Sequence, residues 1–215
     1  ARITVWYLVS DPASDGAWTS ETPAPKAKAA QFNTAFLESW YPRPESSDPF
    51  TSQISVDVPF GFLVCAPGRL VERTKSVSGA SSSDTARRDV HPRELFRWAQ
   101  DTPAGGDAFG RLDVVVGKFD VVDVGTSSVP MLVYAPIGRG GAARPAFSGT
   151  PAILETLGKR FGATYPWARY AQILVADGSI ARAGRPFESS LAMSLVSDRT
   201  LDRGIAAADR NSDIA

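Results

Sequence analysis

The sequence contains very few of the residues that build disulfides, zinc centres and histidine-dependent active sites. Among 215 residues there is one cysteine, Cys65, and one histidine, His91. A single cysteine excludes an internal disulfide, and the apolar residues 62–64 beside it predict a small buried thiol. One Cys and one His supply only half of a tetrahedral zinc site. We therefore predict no cofactor and no metal site.

Neither sign of charge is in excess, because 23 Lys and Arg balance 23 Asp and Glu. Nucleic-acid binding depends on clustered Lys and Arg that neutralise phosphates, so we expect no specific nucleic-acid site. Long apolar runs are also missing, since none reaches the roughly 18 residues that a membrane helix needs. We therefore expect no membrane span.

The most apolar and β-branched part of the chain is residues 110–136, which predicts two or three consecutive strands. Leu112, Val114 and Val116 alternate with their neighbours, and residues two apart point to the same face of a strand. Gly117 indicates a bend in this run, and Pro130 belongs at a strand start or an edge. Two apolar runs joined by the short polar loop 125–128 predict antiparallel neighbours.

Alternating side chains and boundary residues predict further short elements. The expected elements are strands at 2–9, 53–58, 168–176 and 191–195, helices at 26–40, 91–100 and 150–160, and an exposed loop at 69–89. The helix at 150–160 has the clearest limits, because Thr150 would cap it, Pro151 follows and Gly162 lies just past its end. Many short strands with few helices indicate a mainly β chain.

Three features hint at chemistry, and each has a simpler structural interpretation. His91 would need a nucleophile and an orienting acid, and no G-x-S-x-G motif accompanies it; we predict no catalytic residue. Asp113, Asp120 and Asp123 predict solvent-facing acids that prevent wrong strand pairing, with calcium between subunits as the alternative. Residues 138–141, Gly-Arg-Gly-Gly, lack the spacing of a phosphate-binding loop.

Two features together resemble the jelly-roll coat proteins of picorna-like icosahedral RNA viruses. One is the strand at 54–60, ISVDVPF, and the other is the strand pair about fifty residues later, 110–118 and 129–135. In such coats the first resembles the strand after a long surface loop, and the second resembles the last two strands of an eight-stranded sandwich. One clear strand precedes residues 54–60 where the coat pattern has several; the others would lie on another chain.

The resemblance implies an antiparallel, jelly-roll-like β-sandwich with two to four short helices in its loops. Residues 1–136 would form the sandwich, and residues 137–215 would form a C-terminal extension with a helix and one or two strands. The implied function is a structural capsid or surface-protrusion protein of a virion that self-assembles with its own copies or sister chains, without catalysis. The alternative is a β-sandwich module that binds a glycan or a receptor through exposed aromatics such as Trp18 or Tyr41.

Overall fold

A computed structural model describes about three fifths of the chain in seven segments. They are residues 18–19, 31–33, 50–78, 91–104, 112–175, 187–190 and 192–202. These residues form three β-sheets and two α-helices. The strand predicted at 2–9 lies outside the described residues.

The first sheet is antiparallel and consists of three long strands. It contains β3 (Phe50–Pro59), β5 (Arg69–Ser78) and β6 (His91–Ala104), in the order β3-β6-β5. The alternation predicted at 53–58 is confirmed. The helix predicted at 91–100 is wrong, because Glu94, Phe96 and Trp98 are all buried and lie two residues apart, as they do in a strand. The loop predicted at 69–89 is wrong at residues 69–78, because they pair with β6 as the strand β5; residues 79–89 lie outside the described part.

The second sheet is made of short antiparallel strands. It contains β1 (Trp18–Thr19), β2 (Gln31–Asn33), β4 (Leu63–Cys65) and β7 (Val115–Gly117), in the order β1-β2-β7-β4. The helix predicted at 26–40 is therefore wrong at residues 31–33, and its remaining residues lie outside the described part. The chain leaves this sheet at Lys118, and Gly117, where a bend was expected, is the last paired residue of β7.

The third sheet mixes antiparallel and parallel pairs. Its strands are β8 (Phe119–Thr126), β9 (Pro130–Pro136), β10 (Tyr170–Val175), β11 (Phe187–Ser190) and β12 (Met193–Ser197), in the order β11-β12-β10-β9-β8. The hairpin β8–β9 is antiparallel, with Pro130 at its strand start as predicted. By contrast, β10 pairs in parallel with both β9 and β12.

Two helices lie between β9 and β10, as a parallel connection requires. They are α1 (Gly140–Ala146) and α2 (Thr150–Phe161). The second confirms the prediction for 150–160, and Gly162 ends it in the left-handed conformation at φ 63°. Gly149, not Thr150, is the N-cap residue, and the Thr150 hydroxyl instead bonds the buried Gln172 side chain at 3.0 Å.

Three clusters of buried side chains stack the sheets and helices in layers. Phe96 and Trp98 pack the first sheet on one face of the second, and Cys65 and Val115 pack the opposite face of the second sheet on the third. Phe147, directly after α1, packs together with α1 on the far face of the third sheet, and Thr150 of α2 bonds Gln172 of β10. The resulting order is sheet, sheet, sheet and helices.

The mainly β fold is thus confirmed, and the first two sheets pack face to face as a sandwich. The two parallel pairs depart from a wholly antiparallel sandwich. The domain boundary predicted at 136/137 does not coincide with a break in the structure, because β9 before it and β10 after it are neighbours in one sheet.

Candidate functional site

The residues that hinted at chemistry lie apart, in structural roles. His91 begins β6, where its main chain pairs with Ser78, so the helix entry expected for it is wrong. Within the described ranges, no group of three His, Cys, Asp or Glu side chains could hold a metal ion. None of the helices in that part of the chain is long and apolar enough to cross a bilayer.

The acids of the central strands hold backbone amides. Asp120 Oδ2 accepts hydrogen bonds from the N–H groups of Gly138 and Gly140, at 2.8 and 3.2 Å. Asp123 accepts one from Gly125 at 2.8 Å, where the ladder between β8 and β9 is shifted by an irregularity. Asp113 is 2 % exposed, so the solvent-facing position expected for it is wrong.

The Gly-Arg-Gly-Gly segment at 138–141 therefore receives an internal carboxylate at its N–H groups. The same Asp120 oxygen binds the N–H groups on both sides of Arg139, whose own guanidinium bonds Asp202 at 2.6 Å. This contact explains the segment as a turn into α1. It agrees with the expectation that these glycines are not a phosphate loop.

Arg169 is a buried cation at the junction of the three sheets. It is 7 % exposed and donates to the carbonyl oxygens of Gly68, at 2.9 Å, and Ala66. Its Nη2 lies 3.3 Å from Cys65 Sγ, and its guanidinium carbon lies 4.5 Å from the centre of the Trp98 ring. A guanidinium over an indole face is stabilised by the ring quadrupole. Among the described residues, no carboxylate contacts Arg169.

Burial and neighbouring groups shift the pKa values of Arg169 and of the tyrosines around it. Burial acts to lower the pKa of Arg169, but Cys65 and Tyr134 act to raise it, and the net direction is upward. Burial raises the pKa of Tyr134 and of Tyr165 well above the ordinary value. It also raises the pKa of Tyr170 to about 12. The junction therefore favours a charged arginine among neutral tyrosines, which suits a structural anchor.

Cys65 is 0 % exposed, which confirms the predicted buried thiol. The tryptophans that the structure describes also pack: Trp98 is buried, and Trp167 lies half-buried against Leu112. The side chains of Trp18 and Tyr41, named for a binding module, lie outside the described residues, as do Trp6 and Trp40.

Large apolar side chains are exposed at several places on the described surface, namely Phe60, Leu70, Val71, Val121, Ile137 and Phe161. Two of these places are considered as candidate sites, the end of α2 and the turn between β3 and β4. At the end of α2, Phe161 is 73 % exposed, and the helix carries an open apolar depression of about 240 Å³ lined by Ala152, Ile153, Thr156 and Leu157. In the turn between β3 and β4, Phe60 is 53 % exposed. Contiguous exposed apolar patches mark interaction sites in soluble proteins, whereas singly exposed apolar residues are common on protein surfaces.

Neither a protein-family model nor a curated protein sequence matches the chain. The resemblance to picorna-like coat proteins therefore rests on the short strand motifs alone. The candidate functional sites on the described surface are the exposed residues of α2 and of the β3–β4 turn.

Sequence reasoning missed both Arg169 and the two exposed phenylalanines. Arg169 and its carbonyl partner on Gly68 are 101 residues apart, so no local spacing could have linked them. The spacing of Ile153, Leu154, Leu157 and Phe161 in the sequence predicts one apolar helix stripe. The signal against burial of Phe161 is its place at the last residue of the helix.

Proposed function

We propose that this chain is a structural subunit that works by association with copies of itself or with a sister chain, and that it catalyses no reaction. The observation that carries the proposal is the incompletely covered apolar side of α2. An amphipathic helix is stable on a protein surface when its apolar stripe is buried against another element. Along α2 only Thr150 is fully buried.

The apolar side chains of α2 support an intermolecular contact. Ile153, Leu154 and Leu157 are half-buried, and none of them belongs to the core clusters that join the layers. Phe161 extends the stripe in a largely exposed position. Burying apolar surface contributes about 25 cal/mol per Å² removed from water. A second chain that covered this side of α2 would therefore gain a specific apolar contact.

A virus coat is the narrower form of this proposal, with the virion as its location. The sandwich of the first two sheets agrees with the coat resemblance, whereas the parallel pairs of the third sheet do not belong to the jelly roll that the resemblance implies. The general proposal of association does not depend on the resemblance, because it is argued from α2.

Sedimentation velocity of the full chain over a wide concentration range tests the proposal. We expect the chain to associate beyond a monomer, alone or after addition of a sister chain. Phe161→Ser should weaken association, while Glu155→Ser, an exposed change on the same helix, should not. A strictly monomeric chain at high concentration, with no sister chain bound, would refute it.

A second candidate is a recognition module, and the exposed Phe60 favours it. Aromatic side chains at turn tips are typical anchors for glycans and receptor surfaces. Screening the full chain on a glycan array tests the glycan form of this candidate. An array that stays blank, together with unchanged receptor binding in Phe60→Ser, would exclude it.

A further inference from the structure

The turn from Pro59 to Phe62, here called the Phe60 turn, is held in place by backbone hydrogen bonds. The Phe60 N–H donates to Pro92 O at 2.9 Å, and the Phe62 N–H donates to Pro59 O at 3.2 Å. Gly61 has φ 90°, a conformation that favours glycine. Phe60 is thus presented in a fixed, exposed position, so little conformational entropy is lost when a partner binds it.

Each phenylalanine of the turn has a lysine above its ring. Lys75 Nζ lies 5.5 Å from the centre of the Phe60 ring, and Lys118 Nζ lies 5.3 Å from the centre of the Phe62 ring. Both lysines are exposed. These cation–π contacts position two ammonium groups beside the turn and leave their outward N–H donors in solvent.

The two lysines carry charge that no acid of the described chain neutralises. Neither of them takes part in an ion pair among the described residues, whereas the nearby acids on β3 and β6 are engaged by arginines. Asp57 binds Arg93 at 2.9 Å, and Glu94 binds Arg73 at 3.0 Å. The Phe60 turn is therefore a small patch with excess positive charge around one exposed aromatic side chain.

We propose that the Phe60 turn binds an acidic peptide segment of a partner protein, in which carboxylates meet Lys75 and Lys118 and an apolar side chain covers Phe60. The inference rests on the proposed function, since it identifies the chemistry of a partner in association. Two ammonium groups are few for a phosphate backbone or an anionic membrane, where affinity grows with each cation.

Fluorescence anisotropy with the full chain tests this proposal. The probe is a short labelled peptide of alternating Glu and Leu, and the matched control peptide has Gln in place of Glu. We expect the Glu peptide to bind and the Gln peptide to bind at least about tenfold more weakly, with the difference shrinking as salt screens the charges. Equal binding of the two peptides would overturn the proposal.

Substitutions separate this site from a general charge effect. Lys75→Glu with Lys118→Glu should lower the affinity for the Glu peptide by about tenfold or more, and Phe60→Ser should lower it severalfold. Lys159→Glu with Arg160→Glu, at two exposed cations of α2, makes the same charge change elsewhere and should leave the affinity unchanged. Wild-type affinity in the Lys75/Lys118 variant, or tighter binding to phosphatidylserine vesicles or single-stranded DNA, would overturn the proposal.

Sedimentation of the same samples distinguishes failure of the acidic-peptide site from failure of the proposed function. If the wild-type chain associates but does not bind the Glu peptide, the Phe60 turn is not an acidic-peptide site and the proposed function stands. If the chain is monomeric, binds no sister chain and also binds no peptide, both fail. Peptide binding that is lost in the Lys75/Lys118 variant supports the site whether or not the chain forms oligomers with itself.

Discussion

Replacing Arg169 by methionine tests whether a buried cation holds the three sheets together. Methionine keeps much of the side-chain length but donates no hydrogen bonds, so the carbonyl groups of Ala66 and Gly68 would lose their Arg169 donors. Each buried carbonyl left without a donor costs about 1–3 kcal/mol. Loss of the cation over Trp98 adds about 1–2 kcal/mol.

Removal of the buried charge offsets part of this loss of stability. A buried charge carries a desolvation penalty of several kcal/mol, which methionine removes, and apolar replacements of buried charges are sometimes neutral. In this junction the main partners are carbonyl oxygens and a ring, and the carbonyl groups stay buried after the change. We therefore expect Arg169→Met to lower the free energy of unfolding by about 3 kcal/mol.

Urea unfolding followed by tryptophan fluorescence measures the effect as a lower midpoint at an unchanged slope. Arg169→Lys should be intermediate, because an ammonium keeps the charge but lacks the planar fork that reaches two carbonyls. Arg69→Met is the surface control: its pair with Asp101 is more than half exposed on both sides, and its loss should change stability by less than about 1 kcal/mol. If Arg169→Met were as stable as the wild type, the anchoring role would be refuted.

Three further predictions concern the same layers. Gly68→Ala should lower the free energy of unfolding by about 3 kcal/mol or more, because the glycine has φ 86° and a Cβ there would lie 2.1 Å from Ala99 O. Gly61→Ala is the control, since Gly61 has φ 90° but open space around it, and urea unfolding should show a loss of only about 1 kcal/mol. Phe147→Ala should lower the free energy of unfolding, measured by calorimetry, by about 3–5 kcal/mol, since its fully buried ring packs with α1 on the third sheet. Burial raises the pKa of Tyr170 to about 12, so tyrosine ionises at lower pH in the unfolded chain than in the folded one. The free energy of unfolding should therefore fall as pH rises from about 10 to 12, and Tyr170→Phe should make this fall shallower. Urea unfolding at several pH values measures it, and the same pH dependence in the variant would contradict the raised pKa of Tyr170.

The fold was predictable where one physical signal dominated. In β3 the half-buried Ile54 and Val56 and the buried Val58 alternate with exposed polar residues, so the strand was evident. In α2 the signals at both ends agreed, with Pro151 near the start and Gly162 past the end. These elements need no knowledge of distant partners, because their own residues specify the periodicity and the limits.

The fold was not predictable where polar residues are buried. β6 carries Glu94 and Gln100 on its inward face beside Phe96 and Trp98, so the alternation of apolar and polar residues is hidden. Pro92 and Glu94 then imitate the first turn of a helix. The strand is specified by its two neighbours, β3 and β5, and by the salt bridge that makes Glu94 acceptable in the interior.

The parallel part of the third sheet was present in the sequence as a strand, a helix and a strand. β9, α2 and β10 were each predicted, and that order is typical of a parallel crossover. Assigning residues after 136 to an extension separated units that belong together. The resemblance to an antiparallel coat favoured that separation, because its closing strand pair ends at 135.

The candidate surfaces could be predicted only in part. An apolar stripe on α2 was expected, but its coverage depends on which face meets the third sheet. The Phe60 turn depends on cross-strand geometry, because Lys75 reaches Phe60 only after the register shift between Leu70 and Glu72 in β5. A shift of one residue reverses the face of every later side chain in a strand, and the sequence contains no direct signal for it.

The two surfaces lie on different layers, and this has a consequence for assembly. α2 belongs to the helical layer on the third sheet, whereas the Phe60 turn joins the first sheet to the second. Surfaces on separate layers can be occupied independently unless one partner covers both. We therefore expect Phe161→Ser to leave the affinity for the Glu peptide unchanged while it weakens self-association. Loss of peptide binding in that variant would mean that a single partner, or a second copy, spans both surfaces, and the surfaces would then have to be treated as one interface.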